Sequence, residues 1–189
     1  MKPKNLTNFL NQLKTKGIRK TNQFQIVITS GHADIDKTFE DVSMWAAGAE
    51  LPSREQVFVD VTYQAYPFKI PSKMTMTQEI SFDMKCDSSG ELRRAFLKWM
   101  SYISNPAISD GSSGEGDKKI PTSSNVRLLI YDDTMDEPVE IYKLIGVAPS
   151  EVGTMAMSND DASIATFSVK LTYQYWELED TTGKFNDIR

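Results

Sequence analysis

Residues 166–176 read Thr-Phe-Ser-Val-Lys-Leu-Thr-Tyr-Gln-Tyr-Trp, so apolar and polar side chains alternate almost without interruption. This alternation indicates a β-strand, because successive residues of a strand point to opposite sides of the sheet. The apolar face would hold Phe167, Val169, Leu171, Tyr173 and Tyr175. Eleven residues at about 3.3 Å each would make a strand about 36 Å long. A long strand with one dry and one wet face is typical of the wall of a barrel or channel.

A second long alternation covers residues 74–86 and predicts another two-faced strand. Its apolar face would hold Met74, Met76, Ile80, Phe82, Met84 and Cys86. Its polar face would hold Thr75, Thr77, Glu79, Ser81, Asp83 and Lys85. Shorter alternations predict further strands near residues 24–28, 57–63, 126–131 and 139–147. The chain is therefore rich in strands whose two faces differ in polarity.

Two segments have helical spacing instead. Leu6, Phe9, Leu10 and Leu13 form an apolar stripe that ends at Gly17, which predicts an N-terminal helical arm over residues 1–20. Ser88 and Glu91 fit a capping box, and they open a predicted helix over residues 88–105. The stripe of this second helix would hold Leu92, Phe96, Trp99 and Ile103. The fold class expected is mainly β (α+β): an antiparallel β-barrel or sandwich with one packed α-helix.

The segments between these elements complete the expected domain organisation. Residues 21–177 would form one β domain, and residues 178–189 would form a polar C-terminal tail. Within the domain, weak periodicity predicts a long loop or arm over residues 30–72, and connections of that length are usually functional. Glycine and serine dominate residues 108–122, which predicts a flexible loop.

Composition argues against catalysis, cofactors and metals. His32 is the single histidine and Cys86 the single cysteine, which excludes a histidine-based triad, an intrachain disulfide and a multi-cysteine metal site. The acidic turns near residues 132–137 and 159–161 lack the residue spacing of a calcium loop. The formal net charge of -5 argues against a general nucleic-acid binder. No stretch approaches the roughly 20 apolar residues of a membrane anchor.

Three stretches, in this order, resemble the tail tube proteins of contractile-tailed (myovirus) bacteriophages, which are related to type VI secretion and contractile injection tube proteins. The first joins Asn-Gln-Phe-Gln-Ile-Val-Ile at 22–28 to Glu-Leu-Pro at 50–52. The second runs from Ile-Ser-Phe-Asp-Met at 80–84 into the helix with Phe96 and Trp99. The third comprises residues 145–153, 164–169 and the ending Tyr-Gln-Tyr-Trp-Glu at 173–177. The resemblance covers about residues 20–177.

The resemblance implies a structural virion protein without enzymatic activity. Its subunits would form hexameric rings that stack into a tail tube, which conducts the genome inside a contractile sheath. The implied partners are further copies of the chain, the sheath protein, and the baseplate and tail-terminator proteins. Genomic DNA would pass through the lumen without specific binding. The implied location is the virion tail, assembled in the cytoplasm of the host bacterium.

The wall of such a tube would be a large barrel shared among subunits, which removes exposed strand edges. An acidic or neutral lumen would repel phosphates and let DNA slide. The residues predicted to face the lumen are Thr75, Thr77, Glu79 and Asp83. The residues predicted at contacts between subunits or rings are Trp45, Leu51, Pro52 and Phe68.

Three other interpretations stay open on the sequence. The chain could be the tube subunit of a type VI secretion or contractile injection system. It could instead be a baseplate-proximal tube initiator. A third interpretation, from another class, is a monomeric β-barrel that binds a small ligand, which would remain monomeric at high concentration.

Overall fold

The computed structural model describes residues 6–103, 124–132, 136–157 and 163–179. Two four-stranded antiparallel sheets pack face to face as a β-sandwich, and among the described strands they do not close into a barrel. The first sheet has the order β1-β6-β7-β10. Its strands are β1 (Phe24–Thr29), β6 (Asn125–Tyr131), β7 (Pro138–Ile145) and β10 (Tyr175–Glu179). The second sheet has the order β2-β5-β9-β8. Its strands are β2 (Ala46–Ala49), β5 (Glu79–Lys85), β9 (Thr166–Thr172) and β8 (Ala148–Val152).

Both sheets contribute alternate residues to one hydrophobic core, as period-two patterning requires. The first sheet buries side chains such as Ile26, Leu128 and Leu144, and the second buries Phe82 and Val169. The predicted mainly β, antiparallel class is thus confirmed, in the sandwich form of the two that were expected.

The core is closed by α4 (Glu91–Ile103), whose buried stripe includes Phe96 and Trp99. The Phe96 ring lies 6.5 Å from that of Phe167 on β9, between ring centres. The predicted helix is confirmed, but the cap differs from the prediction. The Asp87 carboxylate, rather than Ser88, accepts hydrogen bonds from the backbone N–H groups of Glu91 and Leu92, at 2.9 and 3.3 Å.

The predicted loop or arm over residues 30–72 is wrong in its first part. Residues 33–49 form α2 (Ala33–Phe39), α3 (Val42–Trp45) and strand β2. The buried side chains of these helices, Ile35, Phe39 and Val42, belong to the core. Their apolar residues are four and three positions apart, but helices of seven and four residues are too short to establish a periodicity.

The second part of that segment is an arm. Strands β3 (Arg54–Tyr63) and β4 (Tyr66–Met76) pair only with each other, as a two-stranded sheet. The predicted single strand over residues 74–86 is therefore wrong, since it is divided at Thr77 and Gln78 between β4 and β5. Met74 is 56% exposed on the arm instead of sharing the core with Phe82.

The predicted single strand over residues 166–176 is also divided. β9 ends at Thr172 in the second sheet, and β10 begins at Tyr175 in the first. The backbone N–H of Gln174 then donates to the carbonyl oxygen of Ile145, at 3.0 Å, as the chain crosses between the sheets. This crossing reverses the alternation. Tyr173 is buried as predicted, but Tyr175 is 45% exposed and Trp176 is buried in its place.

The N-terminal helical arm is present as α1 (Leu6–Lys16). The predicted flexible loop over residues 108–122 lies outside the described residues. The predicted C-terminal tail over residues 178–189 is wrong at its start, because Leu178 and Glu179 belong to β10, and its remainder from residue 180 lies outside the described residues.

Candidate assembly surfaces

In the half of the arm toward its tip, one face of β3 and β4 is made of apolar side chains alone. Residues that are directly opposite in an antiparallel pair lie on the same face. Three such pairs follow one another toward the tip: Val59 with Ile70, Val61 with Phe68, and Tyr63 with Tyr66. Each of these six side chains is between 41% and 71% exposed. We call these six residues the apolar arm face.

The opposite face of the arm is more polar. Its pairs are Thr62 with Pro67, Asp60 with Lys69, and Phe58 with Pro71. The two prolines remove two N–H donors from β4, which makes that strand a poor template for adding a further strand. An isolated hairpin is marginally stable in water, and a contiguous apolar patch usually marks a contact surface. The apolar arm face is therefore a candidate contact surface.

The arm continues the edge of the second sheet. It connects β2 to β5, which are neighbours in that sheet. At its root the hydroxyls of Ser53 and Thr77 are hydrogen-bonded at 2.9 Å, and the backbone N–H of Glu50 donates to the carbonyl oxygen of Ser81 at 3.3 Å. The ten residues of β3 extend about 33 Å at about 3.3 Å per residue. The arm is thus a long projection that is anchored to the sandwich by its root.

A cation–π contact also anchors the root of the arm. The guanidinium of Arg54, the first residue of β3, lies 4.1 Å from the centre of the Trp176 ring. Trp176 in turn packs against Tyr142 of β7, with ring centres 5.6 Å apart. The root is thereby connected to the first sheet as well as to the second.

The solvent-facing side of the second sheet is a wet surface. On β5 and β9 it carries only polar side chains, and we call this set the hydroxyl face. Its members are Glu79, Ser81, Asp83, Lys85, Thr166, Ser168, Lys170 and Thr172. The Lys170 ammonium lies 2.6 Å from a carboxylate oxygen of Glu151 on β8. That hydrogen bond raises the pKa of Lys170, so its positive charge is held next to a negative one.

The outer side of the first sheet is different, because apolar residues alternate there with ion pairs. Residues Val27, Leu129, Ile141, Ile145 and Tyr175 lie on it. Glu179 bridges Arg127 and Lys143, with nitrogen–oxygen distances of 3.7 and 3.3 Å. Of the two sheets, the second thus offers the more hydrophilic surface.

The four residues predicted to face the lumen do not form one set in the structure. Glu79 and Asp83 lie together on the hydroxyl face, and both are exposed. Thr75 lies on the arm, and Thr77 lies at the root, where its hydroxyl is bonded to Ser53. The division follows from the break between β4 and β5.

The four residues predicted at subunit contacts lie in three places. Phe68 belongs to the apolar arm face and is 52% exposed. Leu51, 47% exposed at the root of the arm, lines an apolar cavity of about 280 Å³ together with residues such as Phe24 and Leu128. Trp45, at the end of α3, is 37% exposed. Pro52 is buried within its own chain, so its side chain is not itself a free contact surface.

His32 takes part in a surface cluster that joins α2 to α4. Its ring stacks on Tyr102 with centres 4.4 Å apart. The carboxylate of Asp34 accepts hydrogen bonds from Lys98 at 2.5 Å and from the Tyr102 hydroxyl at 2.8 Å. These bonds, the one from Lys98 first, lower the pKa of Asp34 to about 2. The cluster joins two helices and has no arrangement that suggests catalysis.

In the part of the chain that the structure describes, no three His, Cys, Asp or Glu side chains are grouped so that they could hold a metal ion. No helix among the same residues is both long and apolar enough to cross a lipid bilayer.

Comparison with known proteins decides the family. The family profile described as phage tail tube protein matches residues 19–179. The chain belongs to the phage tail tube protein family. It is accordingly a structural tube protein rather than an enzyme. Helix α1 precedes the matched residues. No curated protein sequence matches the chain significantly.

Solved structures share the fold at low sequence identity. The sheath/tube terminator of the PVC extracellular contractile injection system is similar with a TM-score of 0.59 and 10% identity, over 87% of this chain and 98% of that chain. The tube-terminating cap of the anti-feeding prophage is similar with a TM-score of 0.58 and 10% identity, over 87% of this chain and 93% of that chain. A chain of the PVC sheath-tube complex is similar with a TM-score of 0.57 and 9% identity, over 90% of this chain and 97% of that chain. The tail-tube-like fold expected from the sequence is confirmed.

Proposed function

We propose that this tail tube protein assembles as hexameric rings that stack into the tube of a contractile phage tail, and that the tube conducts the genome inside the sheath. The apolar arm face carries the proposal beyond family membership. Six apolar side chains project on a hairpin that no other element of the described chain covers. Closing a ring of subunits would cover this face and would pair the free backbone N–H and C=O groups of the exposed edge strands.

The hydroxyl face is proposed to line the channel. Its hydroxyls and charges are well solvated, so a water-filled lumen costs no apolar exposure there. Glu79 and Asp83 would repel phosphates. The face also carries two lysines, Lys85 at the end of β5 and Lys170, and Lys170 is paired with Glu151 on β8. With Glu151 included, three carboxylates offset two ammonium groups. Genomic DNA would therefore slide without being bound specifically, because binding requires an excess of basic groups that replace counterions.

The contacts between subunits and rings are proposed to use the arm and the surfaces at its root. Phe68 would dock as part of the apolar arm face, whereas Leu51 and Trp45 would contribute exposed apolar side chains near the root. Pro52, being buried, would shape the backbone beside Leu51. Thr75 would belong with the arm contacts, and Thr77 would hold the root.

The remaining partners follow from the position of a tube in a contractile tail. The sheath protein would contact the outer surface, and baseplate and tail-terminator proteins would contact the two ends. The chain would be assembled in the cytoplasm of the host bacterium and would be located in the virion. A tube subunit of a contractile injection system is the second candidate, because the PVC sheath/tube terminator and a chain of the PVC sheath-tube complex share this fold. Neighbouring genes for a capsid and a terminase would distinguish the phage tail.

Size-exclusion chromatography and electron microscopy of the purified chain test the proposal. We expect hexamers or stacked rings with a central channel. A strictly monomeric species at high concentration, without rings or filaments, would contradict it and would favour the monomeric ligand-binding alternative. The variant Val61→Asp, which places a charge on the apolar arm face, should abolish assembly, whereas Thr62→Asp on the opposite face should not.

A further inference from the structure

Helix α1 carries a second apolar surface that nothing in the described chain covers. Along its stripe Leu6 is 68% exposed, Phe9 56% and Leu10 47%. The helix ends in a glycine cap, with Gly17 at a φ of 68° and its N–H donating to the carbonyl oxygen of Leu13 at 2.9 Å. Exposed stripes of this kind belong against a partner surface, because a helix of this length is marginal alone in water.

The root of α1 is fixed beside the root of the arm. Both terminal nitrogens of Arg19 bond to the Glu140 carboxylate on β7, at 2.9 and 3.1 Å. This hydrogen-bonded pair lowers the pKa of Glu140. Arg19 and Lys20 also line the cavity that Leu51 lines. Helix α1 and the arm therefore start from the same end of the sandwich. Helix α1 is attached there to the first sheet, and the arm is attached to the second sheet.

The two exposed surfaces match in length and chemistry. The 11 residues of α1 span about 16 Å at about 1.5 Å per residue. The apolar arm face covers five residues of β3, from Val59 to Tyr63, or about 17 Å at about 3.4 Å per residue. Neither surface carries a charged side chain, since Asp60 and Lys69 lie on the other face of the arm. A hairpin packed against a helix gains the stability that the hairpin alone lacks.

We propose that α1 of one copy packs its apolar stripe on the apolar arm face of a neighbouring copy in the tube. The inference rests on the proposed ring assembly and specifies one of its contacts. Both surfaces are exposed in the folded chain, so neither covers the other within one copy. Four helix residues bury far less than the roughly 1,000 Å² that a lasting pairwise interface needs. The contact therefore forms only where the rest of the ring already holds the copies together.

Cross-linking of mixed copies tests this contact. In a Cys86→Ser background, copies with Phe9→Cys are assembled with copies carrying Val61→Cys and treated with a short bismaleimide. We expect a cross-linked dimer. The dimer should be lost when Asn8→Cys, on the polar side of α1, replaces Phe9→Cys. It should also be lost when Thr62→Cys, on the other face of the arm, replaces Val61→Cys.

Two results would overturn the inference. One is the absence of the dimer in preparations whose tubes are visible by electron microscopy. The other is an internal cross-link in dilute single chains that carry both Phe9→Cys and Val61→Cys, because α1 would then cover its own arm. Failure of the parent chain to form any tube would instead contradict the proposed function.

An assembly variant gives a second readout. Leu10→Asp should leave the isolated fold unchanged, because Leu10 lies outside the core, and should cause loss of tubes or a marked shortening of them. Asn8→Asp is the matched control and should assemble like the parent. Tubes of Leu10→Asp that equal those of the parent in number and length would contradict the proposed contact and leave ring assembly itself untouched.

Discussion

The guanidinium carbon of Arg54 lies 4.1 Å from the centre of the Trp176 ring, so the first residue of the arm is stacked on the second residue of β10. Trp176 is only 8% exposed, and its position in the core comes from the crossing between the two sheets. The contact connects the arm, which projects from the sandwich, to β10, the last strand of the fold. It therefore sets the direction in which the arm leaves the sandwich.

Replacing Arg54 by Ala should destabilise the chain by about 0.5–2 kcal/mol, the range of a partly desolvated cation–π contact. It should also shift the fluorescence of Trp176 as water reaches the ring. Urea unfolding and tryptophan emission measure the two effects. Lys73→Ala, which removes an exposed charge from the same arm, is the control. Equal stability of the two variants would show that the stacking does not hold the root.

Charge on the apolar arm face should block assembly without affecting the fold. Phe68→Asp leaves the core intact, because Phe68 is 52% exposed, and its unfolding midpoint should stay close to that of the parent. In the assembled tube, however, the buried carboxylate would lack a partner and would cost several kcal/mol. Sedimentation of assembled material measures the loss. Thr62→Asp, on the opposite face, should still sediment; tubes from Phe68→Asp would contradict the assignment.

Replacing Gln64 and Ala65 at the tip of the arm by Asn and Gly should stabilise the hairpin. Gln64 and Ala65 have φ values of 47° and 69°, in the left-handed region that a two-residue hairpin turn requires. An L-residue other than Gly loses about 1–2 kcal/mol there, so Ala65→Gly with Gln64→Asn should slow amide exchange along β3 and β4. Exchange measured by mass spectrometry tests this. Ala95→Gly, within α4, should have the opposite effect on stability.

The pairing of Asp34 with Lys98 should make the free energy of unfolding depend on pH. The pKa of Asp34 is lowered to about 2, so the carboxylate is charged in the folded state down to that pH. A lowered pKa means that the stabilisation is present above the ordinary pKa near 3.8 and is lost as the pH falls toward 2. Lys98→Met should raise the pKa of Asp34, whereas Lys98→Arg should keep it low. Carboxyl titration by NMR distinguishes the two outcomes.

Reversal of charge on the hydroxyl face should impair passage of the genome. Glu79→Lys with Asp83→Lys adds cations where we propose that the DNA passes, and cations retain phosphates. Particles should assemble but should eject DNA slowly and infect poorly. Glu55→Lys, on the arm, is the control. Normal ejection from assembled double-variant particles would reject the lumen assignment.

Local patterns predicted much of this fold, because each sheet buries one face. The alternation in residues 24–28 and 126–131 corresponds to β1 and β6, and the stripe with Phe96 and Trp99 corresponds to α4. The same argument put Glu79 and Asp83 on the wet face of β5. These features depend on side-chain period alone, which the sequence displays directly.

Other features depend on contacts between distant residues. Alternation cannot show that the chain leaves one sheet at Tyr173 and enters the other at Tyr175, since this requires pairing with β7. Nor can it tell an apolar side chain buried in the core from one exposed on the arm, and for this reason the pattern places Met74 on the same face as Phe82. The signal that could have separated them is Gln78, a polar residue at the break in the alternation.

Cryo-electron microscopy of the assembled parent chain tests the central claim most directly, because it shows both the tube and the sheet that faces its axis. We predict a hollow tube of stacked six-fold rings in which β5 and β9 line the channel, with Glu79 and Asp83 toward the axis. A chain that stays monomeric at high concentration, or a tube whose channel is lined by the first sheet, would contradict the account.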